Sequence, residues 1–251
     1  MLNRFLRAGY KDVKDHVLQH GCCAPEENLR IYEKWFKNAP RYVFRAVDQK
    51  YHISQKTVID VGCEYGMNLL HCGPGSYGIE LNQYCLDFAA SLGLHLEKRN
   101  IDQDDLTDLP KADVVWCSAV LEHVDSPHIV LRKLYGLLRP NGLLCVFVPT
   151  ISPFRCLRRL PVIGNYFDGY LYGDHVNAFT PATLQFMCER AGFKTLELSA
   201  FYPGLAQVFN RFPLTDGVVY VGSMIPGWSY PPGACRVAAE NRAGYVRPDY
   251  F

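Results

Sequence analysis

No run of this chain comes near the roughly 18 to 20 consecutive apolar residues that a membrane helix needs, and no membrane partner is expected. The opening segment, Met1-Leu-Asn-Arg-Phe-Leu-Arg-Ala8, is too short in apolar length and too interrupted for a secretory signal. Excess charge is missing as well: 26 lysines and arginines stand against 25 acids. That balance lacks the basic footprint of a nucleic-acid binder, so no nucleic acid is expected as a partner. Ten cysteines are present, yet they form no Cys-x-x-Cys pair and no cysteine–histidine grouping at ligand spacing. Neither a metal site nor a disulfide framework is expected. Most of these cysteines lie within apolar runs, where a free thiol packs as a small hydrophobe. A reduced, cytoplasmic setting is the expectation. No internal repeat is visible, and the sequence sets no oligomeric state.

With 49% hydrophobic residues over 251 positions, the chain can bury one large core with an added cap or lid. Its chemistry gathers at Thr57-Val-Ile-Asp-Val-Gly-Cys-Glu-Tyr-Gly66. A short β-branched run ends there in a glycine-punctuated turn, the way a buried parallel strand hands over to a helix. Gly62 and Gly66 allow a tight turn with a ligand lying on bare backbone. A helix over Met67 to Cys72 would then aim free N–H groups at that ligand. Glu80 ends the next strand, Tyr77-Gly-Ile-Glu80, about 20 residues beyond the first one. An acid in that place accepts hydrogen bonds from the vicinal hydroxyls of a ribose. Asp60, Gly62, Gly66 and Glu80 together point to a nucleoside-containing cofactor.

Elsewhere the chain alternates strand and helix. Asn82 is placed to cap a helix burying Cys85, Phe88, Ala89 and Leu92. Strands are expected from Leu94 to Lys98, within Lys111 to His123, and from Leu143 to Val148. Between the last two, Ser126-Pro127 opens a helix with a stripe of Ile129, Val130, Leu134, Leu137 and Leu138. Arg139-Pro-Asn-Gly142 turns the chain into the strand that follows. Thr180-Pro181 starts a late helix, and Val218 to Val221 is the last strand. This cadence gives an α/β fold, a doubly wound and mostly parallel seven-stranded sheet of Rossmann type. Its strand-to-helix loops share one edge, which gathers Asp60 to Gly66, Glu80, Asp102 and Ser118 to His123.

The expected division is an N-terminal helical cap over 1–55, a cofactor-binding half over 56–149, a lid insertion over 150–176, the remaining core over 177–224 and a C-terminal arm over 225–251. In the cap, Pro25 opens a helix with Leu29, Tyr32, Trp35 and Phe36 on one face, and a further helix buries Val43, Phe44 and Val47. The lid carries Arg155, Arg158 and Arg159 among several aromatic rings, and inward-facing arginines would favour an anionic acceptor.

In order and spacing these motifs resemble class I S-adenosylmethionine-dependent methyltransferases, specifically the small-molecule branch that includes quinone-biosynthesis and natural-product enzymes. Residues 58–66 are similar to that family's cofactor loop, Ile79-Glu80 to its ribose acid and Asn100-Ile-Asp-Gln-Asp-Asp-Leu106 to its adenine loop. Val120-Leu-Glu-His-Val124, Leu138-Arg-Pro-Asn-Gly-Leu143 and Asp174-His-Val-Asn-Ala-Phe-Thr-Pro181 resemble later family segments. The resemblance implies S-adenosylmethionine as cofactor, S-adenosylhomocysteine as product and a small-molecule acceptor. It implies that Asp60 and Gly62 line the methionine portion, that Glu80 takes the ribose hydroxyls and that Asp102 accepts from the adenine amino group beside the backbone N–H of Gln103. Ser118 and Val120 would border the sulfonium. Glu64 departs from the pattern, because the family usually has glycine there.

An oxygen acceptor must lose a proton, and histidine suits that task near neutral pH. His123 and His175 are the candidate bases, with oxygen favoured over nitrogen or carbon as acceptor atom. Two alternatives stand beside this one. A nicotinamide oxidoreductase would need a third glycine where Glu64 stands, and a non-catalytic nucleoside-binding module would keep the sheet with a decayed site.

Overall fold

The computed structural model describes residues 13–15, 17–21, 24–35, 42–150, 174–201 and 217–229. Seven strands form one sheet in the order β3-β2-β1-β4-β5-β7-β6. They are β1 (Val58–Val61), β2 (Tyr77–Glu80), β3 (Leu96–Lys98), β4 (Ala112–Ser118), β5 (Leu138–Pro149), β6 (Phe193–Phe201) and β7 (Gly217–Met224). Pairing is parallel from β3 through β5, whereas β7 runs antiparallel to both β5 and β6. The expected doubly wound, mostly parallel seven-stranded sheet is what the chain forms, with β7 and its two antiparallel pairings at the β5–β6 end. Residues 13–15 and 17–20 are helical, and the sheet is flanked by α1 (Pro25–Trp35), α2 (Tyr42–Tyr51), α3 (Gln83–Ser91), α4 (Pro127–Gly136) and α5 (Pro181–Arg190).

Two hydrophobic layers flank the sheet. On one side Val130, Leu131, Leu134, Leu184 and Cys188 pack against Ile59, Val115, Val146 and Tyr220. On the other, Phe44 and Val47 of α2 lie against Val58, Trp116, Val219 and Val221. The Phe44 ring meets Trp116 edge-on at 5.1 Å, a geometry that adds to simple burial. Val13 and Val17 join Tyr65, Met67, Cys85 and Phe88 in a third cluster. Segments ahead of β1 thus complete both the sheet's second face and the surroundings of α3.

Several expectations need correction. Met67 to Cys72 is no α-helix: only Leu69–His71 forms a single 3-10 turn. The backbone explains it, because Gly73 N–H bonds to Lys56 O at 3.1 Å and reels the chain back before a second turn can form. The dipole expected from that helix is therefore missing. Ile129 is 55% exposed, and Leu131 takes its place inside α4. In α1, Leu29 faces out while Asn28 is buried, so the inner face is rotated by one residue. Residues 139–142 are an excursion within β5, exposed at 139–141, rather than a turn ahead of it: Leu138 pairs with Ala112 and Leu143 with Val114. Ser126 occupies the cap position of α4 without a side-chain cap bond. Asn82 does cap α3, accepting from Tyr84 N at 2.9 Å. The lid insertion, apart from Thr150 and residues 174–176, lies outside the described residues, as do Phe36 and all of the arm beyond 229.

Candidate active site

Strand order reverses between β1 and β4, so the crevice beyond their carboxyl ends is where a doubly wound sheet binds ligands. Two residues bordering it hold left-handed backbone without being glycine: Glu64 (φ 52°) after β1 and Ala119 (φ 57°) after β4. Such strain concentrates at functional sites. Gly62 (φ 64°) and Gly66 (φ 74°) share the conformation at no steric cost. A Cβ on Gly62 would stand 2.5 Å from Val120 Cγ2, so the exits of β1 and β4 touch there. Gly62 N–H and Cys63 N–H both donate to Ile79 O, tying the loop to β2.

Glu80 is the anchor of this half. Its Oε2 accepts from Glu64 N at 2.9 Å, and its Oε1 accepts from Leu81 N and Asn82 N, both at 2.8 Å. Three of a carboxylate's roughly four acceptor positions are thereby used. Oε2 retains capacity for a hydroxyl donor, which suits a ribose. Asp60 is only 2% exposed, with Asn68 Nδ2 at 3.3 Å from its Oδ2. A buried acid beside a glycine turn suits a cationic amino group. These residues fit S-adenosylmethionine, whose ribose and ammonium they would take.

The acidic loop after β3 is held from two sides. Asp125 N–H points at the Asp102 carboxylate, 3.2 and 3.3 Å from its oxygens, and Asn100 Oδ1 accepts from Asp102 N. The Gln103 N–H is used within the loop, on Asn100 O at 3.2 Å. Lys133, which the sequence reading passed over, donates to three carbonyls of this loop. A lysine bonding to backbone leaves no pairing pattern in a sequence.

Past β4 the character changes. Ser118 is buried at the strand's end, and Ala119 N–H bonds to Phe147 O. His123 is partly exposed, and its Nδ1 lies 3.1 Å from Asp174 O. Because a carbonyl only accepts, that nitrogen is the donor, and neutral His123 carries its lone pair on Nε2. The His175 ring stands edge-on to it, centroids 4.7 Å apart. Both expected histidines therefore meet at one place. Between them and the core sits Glu122, 1% exposed, with Oε1 at 4.0 Å from His123 Nε2 and Oε2 without a hydrogen-bond partner. Burial pushes its carboxyl up to about 7. One donor atom from each of Glu122, His123 and His175 lies within 4.8 Å of the others, a spacing on which a cation can close. The cluster is built by zipping two distant segments: Val176 N and Asn177 N donate to Glu122 O, while Asn177 Nδ2 donates to Leu121 O and Val124 O.

Comparison with known proteins fits this geometry. The methyltransferase domain family matches residues 29–198. A ubiquinone biosynthesis O-methyltransferase from Thiobacillus denitrificans is 30% identical over 187 residues, covering 68% of this chain and 79% of that one. One of the same description from Aeromonas salmonicida is 29% identical over 176 residues, covering 65% of this chain and 72% of that one. An S-adenosylmethionine-dependent methyltransferase of known structure from Mesorhizobium loti superposes with a TM-score of 0.53 at 19% identity, over 72% of this chain and 95% of that one. These findings set aside both the nicotinamide and the non-catalytic alternatives. No helix among the described residues is long and apolar enough to cross a membrane. The chain belongs to the class I S-adenosylmethionine-dependent methyltransferases.

Proposed function

We propose that the enzyme methylates an oxygen of a small molecule, with His123 as the base that takes the acceptor's proton. The observation that carries this reading is the pairing of His123 and His175 beside buried Glu122, at the β4 exit next to the cofactor loop. S-adenosylmethionine supplies an electrophilic methyl group when bound. Glu80 would receive the ribose hydroxyls, Asp60 and Gly62 the methionine portion, and Asp102 the adenine amino group, with Gln103 beside it shaping the loop through its bond to Asn100 O, while Ser118 and Val120 border the sulfonium. Alignment is then the main contribution of the protein, worth about 7 to 11 kcal/mol when geometry is good.

His123 has its lone pair on Nε2, the nitrogen that a phenolic or enolic hydroxyl would approach. His175 supports it edge-on and serves as the second candidate. Relatives named as O-methyltransferases of ubiquinone biosynthesis support a phenolic acceptor. The division into a cap (1–55), cofactor half (56–149), lid (150–176), remaining core (177–224) and arm (225–251) belongs to the same proposal. Incubation with methyl-labelled S-adenosylmethionine and a panel of phenols, catechols and amines tests it. Label in methyl ethers is expected, and label in amines alone would overturn the oxygen assignment.

A further inference from the structure

Lys133 stands half-buried on α4, opposite a loop that carries Asp102, Asp104, Asp105 and Asp108. A lysine facing such a run is expected to pair with a carboxylate. Instead its ammonium donates to the carbonyls of Ile101, Asp102 and Asp104 at 2.9, 2.7 and 3.0 Å. All three of its donors are thereby committed to backbone. Such charge-assisted bonds fix the carbonyls in space, where a carboxylate partner would have fixed only a side chain.

The rest of the loop is arranged around that clamp. Asp104 Oδ2 accepts from Asn100 N at 2.7 Å, and Asp104 N donates to Asn100 O at 2.8 Å. Asp125 N–H, just ahead of α4, points at the Asp102 carboxylate. Left to itself, a short irregular segment with four acids would splay by repulsion and gain chain entropy. Two ties from the same side of the molecule, one to carbonyls and one to a carboxylate, oppose both tendencies.

We infer that Lys133 is a positioning residue for the cofactor's adenine, holding the backbone of residues 100–106 in the shape that recognises the base. The inference rests on reading this loop as the adenine site. It also joins the loop to α4, whose first turn follows His123, so the two halves of the rim share one support.

The test compares the full-length wild type with Lys133→Met, Lys133→Gln and Asp102→Ala. Titration calorimetry measures binding of S-adenosylhomocysteine and of its 6-oxo (inosine) analogue, which lacks the adenine amino group. Wild type is expected to prefer the adenine compound. Lys133→Met should raise the dissociation constant about tenfold, the loss expected for a charged hydrogen-bonding group, and shrink the preference between the two bases. Hydrogen exchange should quicken at residues 100–106 while β4 and β5 stay protected, which marks the variant as folded. Wild-type affinity and base preference in Lys133→Met would overturn the inference. Should that variant lose protection in β4 and β5, Lys133→Gln decides by the same criteria. If Asp102→Ala weakens binding and the folded Lys133 variant does not, the role of Lys133 alone is refuted. If neither does, the adenine reading of the loop falls and the inference with it.

Discussion

The two ends of the crevice are built on opposite principles. On the β1–β2 side, Glu80 is held by three backbone N–H groups, the loop is tied to Ile79 O, and Lys133 spends every donor on carbonyls. On the β4 side, Glu122 is buried with Oε2 unpartnered, and the neighbouring imidazoles meet edge-on beside it. A site that binds one unvarying cofactor gains from preorganisation, since little is reordered on binding. A site that moves a proton gains from groups that titrate near neutral pH. If the proposed roles hold, the contrast separates recognition from chemistry along a single sheet edge.

Mutations should respect that boundary. The largest effect is expected for His123→Ala, which should lower kcat by about 10² to 10⁴, the range of general base catalysis, and leave the dissociation constant of S-adenosylhomocysteine nearly unchanged. Steady-state kinetics beside calorimetry checks this, and a shift in cofactor affinity instead would blur the division. Next comes the pH dependence of Glu122. Folded, it keeps its proton up to about 7; unfolded, it loses it around the usual 4.5. Between these values the folded chain holds more protons, so stability falls as pH rises. Glu122→Gln should remove that slope and stabilise the protein by up to about 3 kcal/mol at alkaline pH. Denaturant midpoints at about pH 5 and about pH 8 measure the difference, and parallel pH profiles for both proteins would contradict the assignment.

Glu80→Ala belongs to the other side and should weaken cofactor binding by about 1 to 3 kcal/mol, with turnover at saturating cofactor much less affected. An unchanged dissociation constant would remove Glu80 from the ribose site. The smallest effect is expected for Glu64→Gly. Left-handed backbone costs a non-glycine residue about 1 to 2 kcal/mol, and the greater freedom of unfolded glycine returns roughly 0.5 to 1 kcal/mol of that. Thermal unfolding should therefore show a gain of at most about 1.5 kcal/mol, and a clear loss would mean that the Glu64 side chain holds the loop.

Much of this was legible beforehand, where one local rule governs one element. The β-branched runs of β1 and β4 and the compact Tyr77–Glu80 strand have no competing pattern, and the glycine turn between β1 and β2 places the rim by itself. What escaped depends on contacts across the fold. The 3-10 turn at Leu69–His71 is set by Gly73 reaching back to Lys56. Leu131 displaces Ile129 because the sheet face, not periodicity alone, chooses the inner side of α4. Lys133 acts on backbone, and the Glu122 carboxyl is pushed toward neutral pH only by its burial in the fold. His123 and His175 were each visible as candidates, but their meeting was not.

The most direct test of the account is the structure of the complex with S-adenosylhomocysteine. The ribose hydroxyls should lie on Glu80, the base against residues 100–106, and the sulfur at Ser118 on the side facing His123. A cofactor seated elsewhere, or one whose ribose turns away from Glu80, would contradict it.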